Sequence, residues 1–468
     1  MQDSTITPPE TAADATRPGR AFTAVQAAIL LNGIGTRCGQ LAIAWWSLGR
    51  TGSATSFAAL VAAGSGAEVL ARGLLGRLGD THRPDRLVTA CYLVSAVLVA
   101  GLTGLHLAGL YQPVVLAAGL VVIGLCNGVR EPVQTTLVRS LVPVALVETA
   151  MRRRGGVMAL SSVLGPIVAA VLLGLAGTGP TLAINTIAVA VSCLLVATVS
   201  ATSPETTGGG APPGRGGRTS LATWYRGTVD GWRAVHRIRS EFHLALLALA
   251  VNLALYPVFA VLLPALTRRA FPDATWLMGV AEAAFGVGLL LGSTGPVARR
   301  TRGTRTRFTT VTAGFTATGL SILAAGLAAA RLTGRPGPLA AVLAACFLVG
   351  GVGLVTVTVT TSTVRVLATP AGMRNRVTAG VTFLSGLAIP LGNLLGGSLA
   401  ERLWEGPAMA ALGLAVLAAT AAGATSRDLR TVLTLPDDAV PDAYGRLYPL
   451  AFPGGEPEEV TITGEGRP

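Results

Sequence analysis

The sequence predicts an all-α membrane protein with twelve transmembrane helices arranged in two six-helix halves. Its 468 residues are 51% hydrophobic and only 13% charged, whereas a soluble chain carries about 25% charged residues. The apolar residues run in about twelve blocks of roughly 20 residues, and a helix of that length crosses a ~30 Å hydrocarbon layer. A polar, arginine-rich stretch at about 201–241 divides these blocks into two sets of six.

The apolar blocks define five segments of the chain. We expect an N-terminal tail at 1–21, a first half at 22–200, a linker at 201–241, a second half at 242–425 and a disordered tail, rich in Pro, Gly and acids, at 426–468. The expected spans are 22–47, 54–76, 87–109, 112–137, 155–176, 180–200, 242–266, 274–297, 308–330, 337–362, 377–400 and 405–425. Span 10 includes the Val- and Thr-rich stretch 355–366, which we interpret as helical. The first 20 residues have no basic region before a short apolar core, so no signal peptide is expected.

The loops on one side of the predicted bundle hold most of the arginines. They include Arg83 and Arg86 after span 2, residues 152–154 after span 4 and a group between spans 8 and 9. Because arginine-rich loops remain cytoplasmic, both termini and the linker are expected in the cytoplasm, with the spans in the inner (plasma) membrane. Within the linker, 201–219 is expected to be flexible. Residues 221–240 are expected to form an amphipathic helix on the anionic leaflet, or else a helix that binds a partner.

Composition also excludes several functions. All 36 basic residues are arginine, so the chain lacks the lysine of a phosphate-binding G-x-x-x-x-G-K loop. The five cysteines lie inside apolar blocks without C-x-x-C spacing, and the four histidines show no ligand spacing. We therefore expect no metal, no cofactor and no enzymatic activity. The net charge of +13 is explained by the loops, so no nucleic-acid partner is expected.

The loop after span 2 carries the first recognisable motif. Residues 76–86 read G-R-L-G-D-T-H-R-P-D-R, which resembles the loop signature of the major facilitator superfamily. The resemblance implies the major facilitator fold and a conformational latch in which Asp80, beside Gly76, docks near the start of span 11. Thr81 stands where the family usually has arginine, so the charge pair is expected to be weakened or moved to Arg83 or Arg86. Arg130 either joins this latch or extends to the membrane interface.

Longer stretches resemble the branch of drug and siderophore exporters that includes the enterobactin exporter. They lie at 45–53, 262–271 and, longest, 374–397. In this family the Gly165-Pro166 element of span 5 is associated with efflux, and span 11 contains a related set of small and bending residues. Ordinary helix packing explains both elements equally well. The span 11 set is Pro390, Gly392, Gly396 and Gly397.

Charged and amide residues inside the spans are the candidate site. A charge in the hydrocarbon layer costs at least ~2.5–3.5 kcal/mol, so it faces a cavity or a partner. The resemblance implies that helices 1, 4, 7 and 10 line a central cavity and that helices 2, 5, 8 and 11 form the interface between halves. The proton-coupling candidates are Glu282, Glu68 and Glu131; the cavity candidates are Arg37, Asn32, Gln40 and Asn252.

Each candidate has a structural alternative. Glu282 has no arginine nearby in sequence and is the first choice for coupling, although a salt-bridged structural acid also fits. Glu68 and Arg72 are four residues apart on one helix face, so an ion pair between them is as plausible as a role in transport. Arg37 is expected to meet an anionic cargo group or a carboxylate such as Glu131. The amides contact substrate or, more simply, bond neighbouring helices.

These features predict a secondary active transporter that exports a small, partly apolar molecule in exchange for protons. An antibiotic, a siderophore or another secondary metabolite would fit this description. The expected partners are this substrate, protons and membrane lipid, and a monomer is the expected state. An importer or facilitator on the same fold, or a non-transporting receptor or assembly protein, is the alternative.

Overall fold

In the computed structural model, the described residues are 19–74, 83–143, 146–202, 233, 235–293, 307–370 and 373–452. Over these ranges the chain is helical, with no β-strand. We use 'first half' and 'second half' for the helices before and after the linker. The first half contains α1 (Arg20–Thr51), α2 (Ala54–Leu74), α3 (Pro84–Leu107), α4 (Pro113–Ser140), α5 (Val147–Ala176) and α6 (Thr178–Thr202). The second half contains α7 (Arg239–Ala270), α8 (Trp276–Ser293), α9 (Arg307–Arg331), α10 (Pro336–Ala368), α11 (Arg374–Leu403) and α12 (Glu405–Ala424).

Eleven of these helices, α2 to α12, are long and apolar enough to cross a membrane, within the part of the chain that is described. Helix α1 spans 32 residues and packs among them. It falls short of the same apolar composition, and its middle contains Asn32, Arg37 and Gln40. A multi-pass, all-helical membrane protein is therefore confirmed. The count of twelve spans in two halves remains a prediction.

The two halves meet through two pairs of helices. Helix α2 packs against α11, and α5 packs against α8, as the family resemblance implies. Small residues allow these close approaches: a methyl group added at Gly397 would meet the Cβ atom of Ala58, and one added at Gly279 would lie 2.9 Å from the Cβ atom of Ala170. Such packing is the usual way for membrane helices to associate.

Several helices extend beyond the expected spans. Helix α5 begins at Val147 rather than at residue 155, so Arg152 lies within the helix and pairs with Glu148 at 2.8 Å. This i, i+4 pair supports the first turns of the helix. The Val- and Thr-rich stretch 355–366 is helical within α10, as predicted.

The expectation of a disordered tail at 426–468 is wrong for its described part, 426–452. Two further helices, α13 (Arg427–Leu433) and α14 (Ala443–Leu447), pack against the second half. The Pro-, Gly- and acid-rich composition hid three apolar residues at helical spacing. Leu429, Val432 and Leu433 are all buried, which supplies the apolar contacts that order the segment.

The expected amphipathic helix at 221–240 lies mostly outside the described residues. At its described end, Val235 and Ile238 are buried in the protein core instead of facing lipid. A guanidinium nitrogen of Arg237 donates to the carbonyl of Leu450 at 2.9 Å, so the end of the linker contacts the tail. We call this end of the bundle the linker side and the opposite end the far side.

Candidate functional site

A cavity of about 600 Å³ lies between the two halves near the middle of the bundle. Both halves contribute polar side chains to it, and all four cavity candidates are among them. Glu282, Glu68 and Arg130 line it as well, whereas Glu131 does not appear in its wall. The charged and amide lining residues are Asn32, Arg37, Gln40, Glu68, Arg72, Asn127, Arg130, Asn185, Asn252, Glu282 and Asn393.

Among the described residues, a salt bridge between Arg37 of α1 and Glu282 of α8 joins the two halves. The Nη1 and Oε2 atoms are 3.6 Å apart, and the side chains are 43% and 7% exposed. Arg37 also donates to Oε1 of Gln40 at 3.2 Å. Arg37 therefore meets a cavity carboxylate, as one of the expectations had it, but the acid is Glu282 and not the named example Glu131, which pairs with Arg72. The approach of α8 to α1 could not be predicted from the sequence. Gly165 leaves room for Arg37: an added methyl group there would lie 2.9 Å from Cγ of Arg37.

A second ionic cluster lies on α2 and α4. Arg72 contacts Oε1 of Glu68 at 2.8 Å and Oε2 of Glu131 at 2.5 Å through the same Nη2 atom. The Glu68–Arg72 pair is the one that the i, i+4 spacing predicts. The link to Glu131 brings a second carboxylate to one guanidinium, so the cluster carries a net negative charge when both acids are ionised.

The predicted latch is only partly within the described residues. Gly76 and Asp80 lie outside them. Arg83 forms a two-point contact with Asp85, at 3.3 Å and 3.1 Å, and Arg86 is exposed. The latch therefore stays a prediction.

Arg130 has partners inside its own half. Its guanidinium lies 4.5 Å from the centre of the Tyr92 ring and donates to Oδ1 of Asn127 at 2.8 Å. The hydroxyl of Tyr92 in turn accepts a bond from Gln134 at 2.8 Å. A stacked, hydrogen-bonded guanidinium is well compensated for burial, so Arg130 needs no further partner to be accommodated here.

Helix α7 forms an aromatic wall of the cavity. After Pro257 the helix widens into a π-helical turn at Val258–Leu262, a feature often found at functional sites. This turn places Phe259 in the cavity wall, 4.9 Å from the ring of Phe285 and 4.8 Å from that of Phe347. Our sequence analysis missed this wall, although Pro257 in the middle of a span was a signal for it.

Amide groups both line the cavity and join helices. Asn252 donates to the carbonyl of Ser385 at 2.9 Å, and Asn393 donates to Oγ of Ser65 across the halves at 3.4 Å. Among the described residues, the Oδ1 atoms of Asn185 and Asn393 are buried without a hydrogen-bond partner. An unpaired buried acceptor is costly, so either atom would gain a bond from a donor that a small movement of the helices allowed to reach it.

The small and bending residues of α11 sit at close helix contacts. Pro390 faces Gly66 of α2 at 3.6 Å, measured to an added methyl group. On the other face, such a group at Gly392 would lie 2.6 Å from the carbonyl oxygen of Leu253, and one at Gly396 would meet Pro257. Helix α11 thus packs closely against both α2 and α7.

The far side of the cavity is closed by contacts between the halves. Glu401 of α11 accepts bonds from the Ser53 hydroxyl and from the backbone N–H of Thr55 at 3.0 Å. Arg269 donates to the carbonyl of Gly52 at 2.8 Å, and the Arg268 guanidinium lies 4.7 Å from the Trp45 ring. The sequence placed these arginines in a loop but gave no sign of the contacts.

Toward the linker side, the cavity-lining faces of α4 and α10 continue as polar, exposed surfaces. On α4, Asn127 is followed one turn later by Glu131, which is 48% exposed. On α10, Leu354 lines the cavity, and the exposed Thr358 and Ser362 follow at intervals of four residues. Side chains four apart share a helix face. Polar residues thus continue from the cavity toward the linker side, whereas contacts between the halves cross the far side.

A central cavity between two sets of helices, lined by both apolar and charged side chains, is the arrangement found in secondary transporters. Residues 27–332 match the family model described as Major Facilitator Superfamily. The chain belongs to the major facilitator superfamily. A search among curated proteins finds no match.

Solved structures of transporters share this fold at low sequence identity. A point mutant of the nucleoside transporter NupG is 12% identical, with a TM-score of 0.64 over 86% of this chain and 98% of its own. A bacterial homologue of the iron transporter ferroportin in an inward-facing state is 17% identical, with a TM-score of 0.66 over 89% and 99%. The POT family transporter PepTSo is 14% identical, with a TM-score of 0.66 over 89% and 99%. These neighbours support the fold and leave the cargo of this chain open.

Proposed function

We propose that this chain exports a small, partly apolar molecule across the bacterial inner membrane in exchange for protons. The linker side would then be cytoplasmic, as the arginine distribution favours. The observation that carries the proposal is the Arg37–Glu282 pair, which joins the two halves at the cavity. An antibiotic, a siderophore or another secondary metabolite is the class of cargo that fits.

The pair couples charge to the motion of the halves. Glu282 is almost fully buried, and the only ion pair it makes among the described residues is with Arg37. A buried carboxylate without a counter-charge is strongly unfavourable, so it binds a proton when its partner leaves. Transporters of this architecture rock one half against the other around a central site. Rocking that separates α1 from α8 would therefore remove Arg37 from Glu282 and let the Glu282 carboxylate bind a proton instead.

Size and chemistry of the cavity support a partly apolar cargo. A volume of about 600 Å³ lies within the ~300–1,000 Å³ of small-molecule sites. Phe259 and Phe285 offer apolar surface, whereas Asn185 and Asn393 offer unpaired acceptors. Arg37 is 43% exposed in this space, so an anionic or strongly accepting group of the cargo would compete with Glu282 for it.

The motifs that resemble the exporter branch support the direction. They include the stretch 374–397, and in this structure Gly165 lies directly against the side chain of Arg37. The efflux-associated element of α5 and the coupling pair are thus neighbours. The latch at Asp80 remains part of the proposal.

The test compares wild type and Glu282→Gln in efflux-deficient cells, by following the accumulation of a panel of drugs and metabolites with and without a protonophore. Lower accumulation that is lost in the variant and on collapse of the gradient supports coupled export through Glu282. The control is Glu148→Gln, which removes a carboxylate that is 86% exposed and far from the cavity, and it should export normally. Export that survives Glu282→Gln would reject Glu282 as the coupling acid. Greater accumulation on expression would indicate import, and no flux of any compound by folded protein would favour a receptor or assembly role.

A further inference from the structure

A second cavity, of about 350 Å³, lies between the linker-side ends of α1 and α5. It is outside the central cavity and shares none of its lining residues. Its wall is mostly apolar, with one amide and one guanidinium. Its main lining side chains are Phe22, Thr23 and Gln26 of α1 and Arg153, Val157 and Leu160 of α5.

Gln26 gives the first indication that the groove holds a ligand. Its side chain is only 7% exposed. Neither its Nε2 nor its Oε1 atom has a hydrogen-bond partner among the described residues. Two unsatisfied polar atoms on one buried amide are rare and costly, and this amide lines the groove. A ligand with both donor and acceptor capacity, or with an acceptor and associated water, would satisfy it.

The groove is continuous with an exposed apolar face of α5. Leu160, in the groove, begins a stripe of exposed apolar side chains at helical spacing. In a membrane protein, such a stripe contacts acyl chains. The stripe comprises Leu160, Leu164, Ile167, Val171 and Leu175.

Arg153 stands at the linker-side end of the same face. It precedes Leu160 by seven residues, which is two turns and returns to the same side of the helix. It is exposed and forms no salt bridge among the described residues, in contrast to the adjacent Arg152, which pairs with Glu148. A cation at the end of an apolar groove is complementary to an anionic lipid. The phosphate of such a lipid lies at the membrane interface, and its acyl chains extend inward.

We propose that the α1–α5 groove is a binding site for one anionic phospholipid. Its phosphate contacts Arg153, its polar glycerol region reaches the Gln26 amide, and one acyl chain lies on Phe22 and Leu160. The apolar wall favours a lipid over a free phosphate ion, which would leave that wall uncovered. The proposal does not depend on the direction of transport or on the cargo.

The test measures lipid binding to the purified full-length protein by native mass spectrometry, with phosphatidylglycerol and phosphatidylcholine of identical acyl chains. Wild type should retain phosphatidylglycerol preferentially. Arg153→Gln should weaken that binding by about fivefold, the effect of one basic residue on an anionic lipid. Arg152→Gln removes the neighbouring charge and should change it less. Gln26→Leu keeps the volume but removes the amide, and it should also weaken binding of phosphatidylglycerol.

Four results would overturn the proposal. One is equal retention of the two lipids by wild type. Another is an equal loss for Arg152→Gln and Arg153→Gln, which would mean a diffuse charge effect without a site. A third is displacement of the lipid by millimolar inorganic phosphate or glycerol phosphate, which would identify a free anion as the ligand. The fourth is unchanged binding of phosphatidylglycerol by Gln26→Leu, which would show that the amide does not contact the lipid and that Arg153 alone, a surface charge, accounts for the binding. Size-exclusion profiles and thermal midpoints of all variants verify folding, so that a loss of binding is not a loss of structure.

Discussion

Removal of Glu401 should release the far-side closure. The Glu401 carboxylate accepts two bonds from the other half, from the Ser53 hydroxyl and the Thr55 N–H. Glu401→Ala removes both. Since the site is exposed, each bond is worth about 0.5–1 kcal/mol rather than the larger value of a buried charged bond. Together they contribute about 1–2 kcal/mol, so the equilibrium constant for opening on the far side should rise by about 5–30-fold.

The assay is a distance measurement between spin labels on the far side. Leu110→Cys in the first half and Thr333→Cys in the second are exposed positions, introduced after replacement of the five native cysteines. Glu401→Ala should add a longer component to the distance distribution. Arg402→Ala changes an exposed charge at the next position and serves as the control. The reasoning would be refuted if Glu401→Ala and Arg402→Ala gave the same distribution as wild type.

Three further predictions concern stability, measured as thermal unfolding in detergent. Tyr444→Phe should destabilise the protein by about 1.5–3 kcal/mol, because the Tyr444 hydroxyl donates a hydrogen bond to buried Glu241 at 2.7 Å. Tyr448→Phe is the control. An equal loss of stability in the two variants would contradict a stabilising role for the Tyr444–Glu241 bond. Gly397→Ala should lower the free energy of unfolding by about 1–3 kcal/mol, because the new methyl group meets Ala58. The control, Gly337→Ala, places its methyl group in open space and should be near neutral. Equal thermal midpoints for the two variants would refute the close contact. The third prediction concerns the ion pair between Arg72 and Glu131. A double-mutant cycle with Arg72→Gln and Glu131→Gln should give a coupling free energy of only about 1 kcal/mol, because both side chains are more than one-third exposed. A coupling free energy near zero would mean that the pair is not maintained in solution.

Local features of the fold were predictable because they depend on residues close in sequence. The Glu68–Arg72 pair follows from a spacing of four residues, and the apolar blocks follow from composition. The helicity of residues 355–366, against their β-branched composition, follows from the requirement that backbone groups be satisfied within a membrane. In each case the decisive interaction lies within one helix.

Features that depend on two distant segments were predicted poorly. The partner of Arg37 is 245 residues away in the chain, and nothing near Glu282 in sequence indicates an arginine. The folding of the tail at 427–452 also depends on contacts with segments that are distant in sequence. Tyr444 is fully buried because its hydroxyl meets Glu241, a residue at the start of α7. Composition alone describes the tail as polar, and only the packed second half supplies the partners that order it.

The two sets of contacts between the halves differ in a way that suits a transport cycle. On the far side, Glu401 is exposed and its partners Ser53 and Thr55 are half-buried, so water can replace each bond when it breaks. At the cavity, Glu282 is almost fully buried, so separation from Arg37 leaves a poorly solvated charge without its counter-charge. In the proposed mechanism, a proton would neutralise this carboxylate as the halves separate. If protons serve this role, opening of the far side should be easy without substrate, whereas full separation of α1 from α8 should depend on the protonation of one carboxylate.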